Sequence, residues 1–278
     1  KMKLFLDSAN IEEIEKAYSL GIIDGVTTNP SLIKKAYNEH KKSKGKKKFS
    51  MEEYIIQILS IAKGTPVSLE VTKTGYDDMV EEGISLYQRF NPVANNAVIK
   101  IPVNTSLTGK TKTSDGIRAI KTLSQNKIPV NCTLVFTPEQ ALMAAKAGAI
   151  MVSPFVGRVD DYIRTQHGIG FEKSDYFPQE GIIKSGAHVQ DNGIVSGVDL
   201  IKQIVAIFKN YGLKTQVLAA SIRNQRQLRE VAVAGAHIAT MPFEVLQQAL
   251  NHAKTIEGMK TFTDDVISEY AKLATKRK

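Results

Sequence analysis

Short apolar runs alternate with longer stretches of helical period along almost the whole chain. The first run, Lys3-Leu4-Phe5-Leu6-Asp7, is too short for a helix and reads as a strand. Residues 11–20 place Ile11, Ile14, Ala17 and Tyr18 on one helical face, with Ser8 or Asn10 as the cap and Gly21 as the stop. The same alternation predicts further strands at 23–28, 66–71, 97–101, 129–133, 150–153, 215–219 and 237–240. Between them it predicts helices at 31–37, 51–62, 75–90, 115–125, 138–147, 197–210, 224–234 and 243–251. After the strand at 150–153 the chain reads as irregular up to about residue 196. A last helix, near 264–273, stands outside the alternation.

Strands separated by helices pair in parallel through right-handed crossovers. Eight such units in 278 residues predict the α/β class and a (β/α)8 TIM barrel with an extra C-terminal helix. The competing open doubly wound sheet lacks a Gly-rich fingerprint after its first strand. The expectation is therefore a single domain over 1–278, with surface insertions near 38–50 and 166–196.

Barrels place their chemistry at the C-terminal ends of the strands. Polar residues collect there: Asp7, then Thr28 and Asn29, Glu70, Lys100, Asn131 and Thr133, Ser153, and Ser221. Side chains alternate across a strand, so Phe5 and Asp7 share a face, as do Ser68 and Glu70, Val98 and Lys100, Asn131 and Thr133, and Met151 and Ser153. Only this parity assembles an acid–base cluster. The opposite one, with Leu4, Leu6, Leu69, Ile99 and Ile101, is apolar and suits packing beneath the helices.

Lys100 lies in Ala97-Val98-Ile99-Lys100-Ile101-Pro102, where a cation is costly unless paired or neutral. At a strand edge it would be an ordinary snorkelling lysine. Inside a barrel it is a candidate amine nucleophile, since burial favours the neutral form that attacks carbonyls. Asp7 and Glu70 are then its acid–base carboxylates or its salt-bridge partners, and a water between Glu70 and Thr133 would relay protons. Asn29 and Asn131 would orient substrate hydroxyls, although Asn29, before Pro30, equally suits a cap. Arg158 and Arg223 follow strands six and seven and form a candidate phosphate site beside a helix N-terminus.

Composition changes this picture little. The formal net charge of +9 fits either nucleic acid or the steering of anionic phosphate esters. Six lysines fall in Lys41–Lys48 with no interleaved aromatic, so this run reads as a solvated loop and not a base-stacking platform. The single cysteine, Cys132, precludes an intrachain disulfide and fits a reducing cytoplasm. No apolar run is long enough for a signal peptide core or a membrane span. The five histidines sit at no metal-ligand spacing, and no P-loop or dinucleotide motif is present, so neither metal nor cofactor is expected.

The blocks Leu6-Asp7-Ser8-Ala9-Asn10, Thr27-Thr28-Asn29-Pro30-Ser31-Leu32, Val98-Ile99-Lys100-Ile101-Pro102, Asn131-Cys132-Thr133-Leu134-Val135-Phe136, Ser153-Pro154-Phe155-Val156-Gly157-Arg158 and Ala220-Ser221-Ile222-Arg223-Asn224, in that order, resemble the transaldolase family. The resemblance runs from strand one to helix eight. It implies a cofactor-independent mechanism in which Lys100 forms a Schiff base with a ketose phosphate. Asp7 would assist aldol cleavage, and Glu70 with Thr133 would activate water. Thr28, Asn29, Asn131, Ser153, Phe155 and Ser221 would line the substrate, and Arg158 and Arg223 would hold its phosphate. Fructose 6-phosphate aldolases of the same family carry Gln in place of Glu70 and Tyr in place of Phe155, which favours transfer over simple cleavage here. The partners implied are sugar phosphates, with no nucleic acid and no membrane. A homo-oligomer, whether dimer, pentamer or decamer, is expected, with a C-terminal helix laid on a neighbour.

Overall fold

The computed structural model describes residues 1–43, 50–107 and 114–273. Its strands, in chain order, are β1 (Lys3–Asp7), β2 (Gly25–Thr27), β3 (Val67–Glu70), β4 (Ala97–Pro102), β5 (Val130–Val135), β6 (Met151–Pro154), β7 (Ile183–Lys184), β8 (Ala187–His188), β9 (Gln216–Ala219) and β10 (Ile238–Met241). Eight of them close in parallel as β1-β2-β3-β4-β5-β6-β9-β10, and β10 pairs back to β1. β7 and β8 form a separate antiparallel hairpin. The helices are α1 (Ile11–Ser19), α2 (Pro30–Ser43), α3 (Met51–Ile61), α4 (Tyr76–Ala94), α5 (Asp115–Gln125), α6 (Pro138–Ala147), α7 (Val156–Gln166), α8 (Gly197–Asn210), α9 (Gln225–Val233), α10 (Phe243–Ala249), α11 (Ala253–Asp264) and α12 (Ser268–Leu273). This is the (β/α)8 barrel that the alternation implied.

Local chemistry sets the helix ends. The Asn10 side chain, not Ser8, accepts from the backbone of Glu12 and Glu13 to start α1. Thr137 and Gln140 form a capping box that spans Pro138 at the first helical position, and Gly148, at φ 104°, ends α6 in the left-handed region.

Two apolar layers follow from strand parity. Leu6, Leu69, Ile99 and Ile101 pack outward beneath the helices. Phe5, Val98, Met151, Leu218, Ala220 and Ile238 fill the barrel interior. A Cβ on Gly25 would come within 2.5 Å of the Phe5 ring, so glycine there makes room for the ring that plugs the barrel. The barrel floor is thus apolar, and polar side chains of the same parity collect towards the C-terminal ends of the strands.

Three segments depart from the sequence expectation. The stretch after β6 is not irregular throughout, because the eleven-residue α7 begins at Val156, with only Phe155 between it and β6. The segment expected as an insertion over 166–196 sends Phe177, Val189 and Ile194 into the core. The single helix expected near 264–273 is divided: α11 begins at Ala253, and only α12 falls within that range. The lysine-rich run begins on α2, with Lys41 and Lys42, and continues into residues outside those described.

Candidate active site

Register brings the central residues to one level. Glu70 is paired with Lys100 across β3 and β4, and Lys100 with Asn131 across β4 and β5. The parity that fills the interior with Phe5 and Val98 therefore directs Asp7, Glu70, Lys100 and Asn131 inward. Lys100 is only 5% exposed, so its charge must be met inside the barrel. Its Nζ lies 3.0 Å from Glu70 Oε2 and donates to the Thr28 carbonyl at 3.1 Å.

Asp7 accepts from the Thr27 hydroxyl at 2.8 Å, and that hydroxyl also meets Thr240 Oγ1 at 2.6 Å. Burial pushes the Asp7 carboxyl above its ordinary value, against the opposing pull of Lys100, the Thr27 hydroxyl and Arg158. A carboxylate held above its usual range is a better proton acceptor than a free one, as a general base requires. Thr133 is buried one pleat above Asn131, and its Oγ1 has no hydrogen-bond partner among the described residues. A buried hydroxyl left open in this way is costly unless water or substrate meets it. Immediately after Thr133, β5 carries a register shift, with Leu134 at φ 56°. Such bulges re-aim side chains beside functional sites. Cys132, between Asn131 and Thr133, faces the outer core, where burial raises its thiol pKa. It is not a rival nucleophile.

Asp7, Asn29, Lys100, Ser153, Phe155, Arg158, Ser221 and Arg223 line a cavity of about 690 Å³ at this end of the barrel. Four other residues expected in the site stand behind its wall. Glu70 reaches it through the Lys100 ion pair. Asn131 accepts from Ser153 Oγ at 2.7 Å and donates to Ser68 Oγ at 3.2 Å, which fixes its amide orientation. Thr133 is buried above it. Thr28 is fully buried, and its hydroxyl donates to the Ser68 carbonyl, so it meets Lys100 by its backbone alone. Asn29 lines the cavity while its Oδ1 caps α2 by accepting from Leu32 N at 3.0 Å.

The two arginines differ. Arg223 is fixed on three sides: Nη2 pairs with Asp161 at 2.9 Å, Nε donates to Ser221 Oγ at 3.3 Å, and Nη1 reaches the Lys173 carbonyl at 3.4 Å. Arg158 is exposed at the rim, with its guanidinium 5.1 Å from the Phe155 ring centre. A Cβ on Gly157 would lie 2.6 Å from Arg223 Nε and 2.5 Å from the Ser221 carbonyl, so glycine lets α7 approach that arginine. Ser221 itself adopts φ 60°, a strained conformation for a non-glycine residue at the cavity edge.

Thr27, Thr240, Lys35 and Glu172–Ser174 also line the cavity and were not singled out from the sequence. Strand parity points to the two threonines, because Thr27 follows Gly25 and Thr240 follows Ile238 on the inward face. No sequence signal places the Glu172–Ser174 segment there. Among the described residues, no group of three or more His, Cys, Asp or Glu side chains converges as a metal site. The arrangement has what imine chemistry needs: a buried amine, flanking carboxylates, an open hydroxyl and a cationic rim.

The family model described as transaldolase/fructose-6-phosphate aldolase matches residues 4–277. A probable transaldolase of Thermoplasma acidophilum is 45% identical over 265 residues, covering 95% of each chain. One from Thermoplasma volcanium is 43% identical over 264 residues, with the same coverage. One from Chlorobium phaeobacteroides is 42% identical over 267 residues, covering 95% of this chain and 96% of its own. From β1 to the C-terminal helices, the chain belongs to the transaldolase/fructose-6-phosphate aldolase family.

Proposed function

We propose that the protein is a transaldolase that moves a dihydroxyacetone unit from a ketose phosphate to an aldose phosphate through an imine on Lys100. The observation that carries this is the buried Lys100–Glu70 pair beside the unpartnered Thr133 hydroxyl. The Lys100 amine attacks the ketose C2 carbonyl, and the carbonyl oxygen departs as water, with Glu70 and Thr133 handling the protons through one bound water. Asp7 then takes the proton of the C4 hydroxyl. The C3–C4 bond breaks, its electron pair enters the iminium to leave an enamine, and the aldose phosphate departs. The enamine attacks the aldehyde of the acceptor, and hydrolysis returns the amine. Asn29, Asn131 and Ser153 orient the hydroxyls of the three-carbon unit, and Arg158 and Arg223 hold the phosphate. The donor–acceptor set is sedoheptulose 7-phosphate with glyceraldehyde 3-phosphate, giving erythrose 4-phosphate and fructose 6-phosphate, a step of the pentose phosphate pathway.

Release of free dihydroxyacetone is the second reading, as in a fructose 6-phosphate aldolase. Glu70 and Phe155 weigh against it, because such aldolases carry Gln and Tyr there. A coupled assay with fructose 6-phosphate, run with and without erythrose 4-phosphate, separates the two. Turnover that depends on the acceptor supports transfer, and equal turnover without it, with free dihydroxyacetone as product, supports cleavage. A barrel used mainly to bind nucleic acid would instead give steeply salt-dependent binding that disappears when Lys41–Lys48 is neutralised.

We place the enzyme in the cytoplasm, consistent with a lone buried cysteine. No helix among the described residues is long and apolar enough to cross a membrane. We also propose a homo-oligomer assembled through α11 and α12. Neither helix buries a residue, and Ile256, Met259, Phe262, Tyr270 and Leu273 are all exposed along them.

A further inference from the structure

The segment between α7 and the β7–β8 hairpin is clamped from below. Arg164 of α7 is 5% exposed and donates to the carbonyls of Asp175 (3.4 Å) and Tyr176 (2.8 Å). Its guanidinium lies 5.0 Å from the ring centres of both Phe171 and Phe177. On the α9 side, Tyr176 donates to Glu230 at 2.7 Å while Arg226 stacks on its ring at 3.7 Å. Between these anchors, Glu172 N donates to Asp175 Oδ2 at 2.7 Å, closing a turn whose crest is Lys173. That crest lines the Lys100 cavity, and the Lys173 carbonyl accepts from Arg223.

A phosphate monoester carries roughly −1.5 to −2 charges at neutral pH. Asp161 offsets much of the Arg223 charge, which leaves the Arg158–Arg223 pair about one positive charge short of a phosphate dianion. Lys173 stands at the same corner, and no acid among the described residues pairs with its ammonium within 4.0 Å. We propose that Lys173, held over the cavity by the Arg164 clamp, is a specificity-determining residue that supplies the third cation gripping the phosphate of the sugar substrate. The inference rests on the reading of Arg158 and Arg223 as the phosphate site. The extra segment thereby selects phosphorylated over free sugars, and its function is not confined to covering the surface.

The test is steady-state kinetics of the full chain with erythrose 4-phosphate and with D-glyceraldehyde as acceptors, each at saturating fructose 6-phosphate as donor for every variant, comparing wild type, Lys173→Met, Lys173→Arg and Arg158→Ala. Lys173→Met should raise KM for the phosphorylated acceptor about tenfold with kcat held within about twofold, leave D-glyceraldehyde kinetics unchanged, and weaken competitive inhibition by inorganic phosphate in parallel. Lys173→Arg should restore most of the loss. Equal loss with both acceptors would mean that Lys173 only supports the fold, and the proposal would fall. So would an unchanged KM in Lys173→Met while Arg158→Ala raises it. If Arg158→Ala also leaves the phosphate preference intact, the phosphate-site reading itself is wrong, and the proposal goes with it.

Discussion

A hydroxyl buried without a partner among the described residues, as in Thr133, is a local cost that the fold retains near the buried Lys100. Replacing it with an apolar isostere removes the cost and the chemistry together. Thr133→Val should leave the unfolding free energy within about 1 kcal/mol of wild type or raise it, while lowering turnover roughly 10²-fold. Denaturant unfolding and the coupled assay on the same preparation check this, and a variant that loses stability with full activity would assign Thr133 to the framework. At this scale the sequence was informative where a residue is expensive. A lysine in the middle of an apolar strand, a carboxylate at the end of the next and a shared parity mark Lys100, Glu70 and Asp7. Thr27 and Thr240 were silent because threonine is an ordinary strand residue. Lys173 was silent because only tertiary clamping by Arg164 and Tyr176 brings it to the cavity.

Among the elements, α7 was the one that the pattern hid. Its apolar positions Val156, Val159 and Ile163 have helical spacing, but the buried face they share also holds Asp160 and Arg164. Its N-cap is Phe155, which makes no side-chain cap, and Pro154 and Gly157 flank it, so the apolar stripe is interrupted and the start signal fails. Those polar residues are there to tie elements together. Asp160 accepts from Gly197 N at 2.7 Å, at the start of α8, and from Gln227 Nε2 at 2.9 Å, while Gln227 Oε1 accepts from Arg223 N at 2.8 Å. Burial drives the Asp160 carboxyl from an ordinary 3.8 up to about 7, against the Gly197 amide and Arg164. A proton held more tightly in the folded state stabilises it fully below the unfolded value, and that contribution is lost as pH rises through the folded value. Relative to Asp160→Asn, the thermal midpoint of wild type should therefore fall between about pH 4 and 7 and then level off. Parallel midpoint curves for the two proteins would show that Asp160 does not titrate in that window. The C-terminal helix was placed only in part for a different reason. α11 and α12 bury nothing in the chain, so no core-facing stripe fixes their limits.

For the molecule as a whole, the barrel was legible because eight strands repeat the same rule. Most contribute apolar residues outward and a polar residue at or just past the C-terminal end, and closure brings those ends together. The rule says nothing about assembly, and the proposed homo-oligomer rests instead on unburied apolar surface along α11 and α12. Phe262, 71% exposed on α11, is the largest apolar side chain left in solvent there. Phe262→Asp should shift the assembly to smaller species in sedimentation velocity without changing the circular dichroism of the barrel, whereas an unaltered sedimentation profile would remove α11 from the interface. The catalytic account is tested most directly by borohydride reduction in the presence of fructose 6-phosphate, followed by peptide mass spectrometry. A reduced dihydroxyacetone adduct on the peptide containing Lys100, absent in Lys100→Ala, is the expected result. No adduct, or one that persists on another residue in Lys100→Ala, would contradict an imine at this lysine.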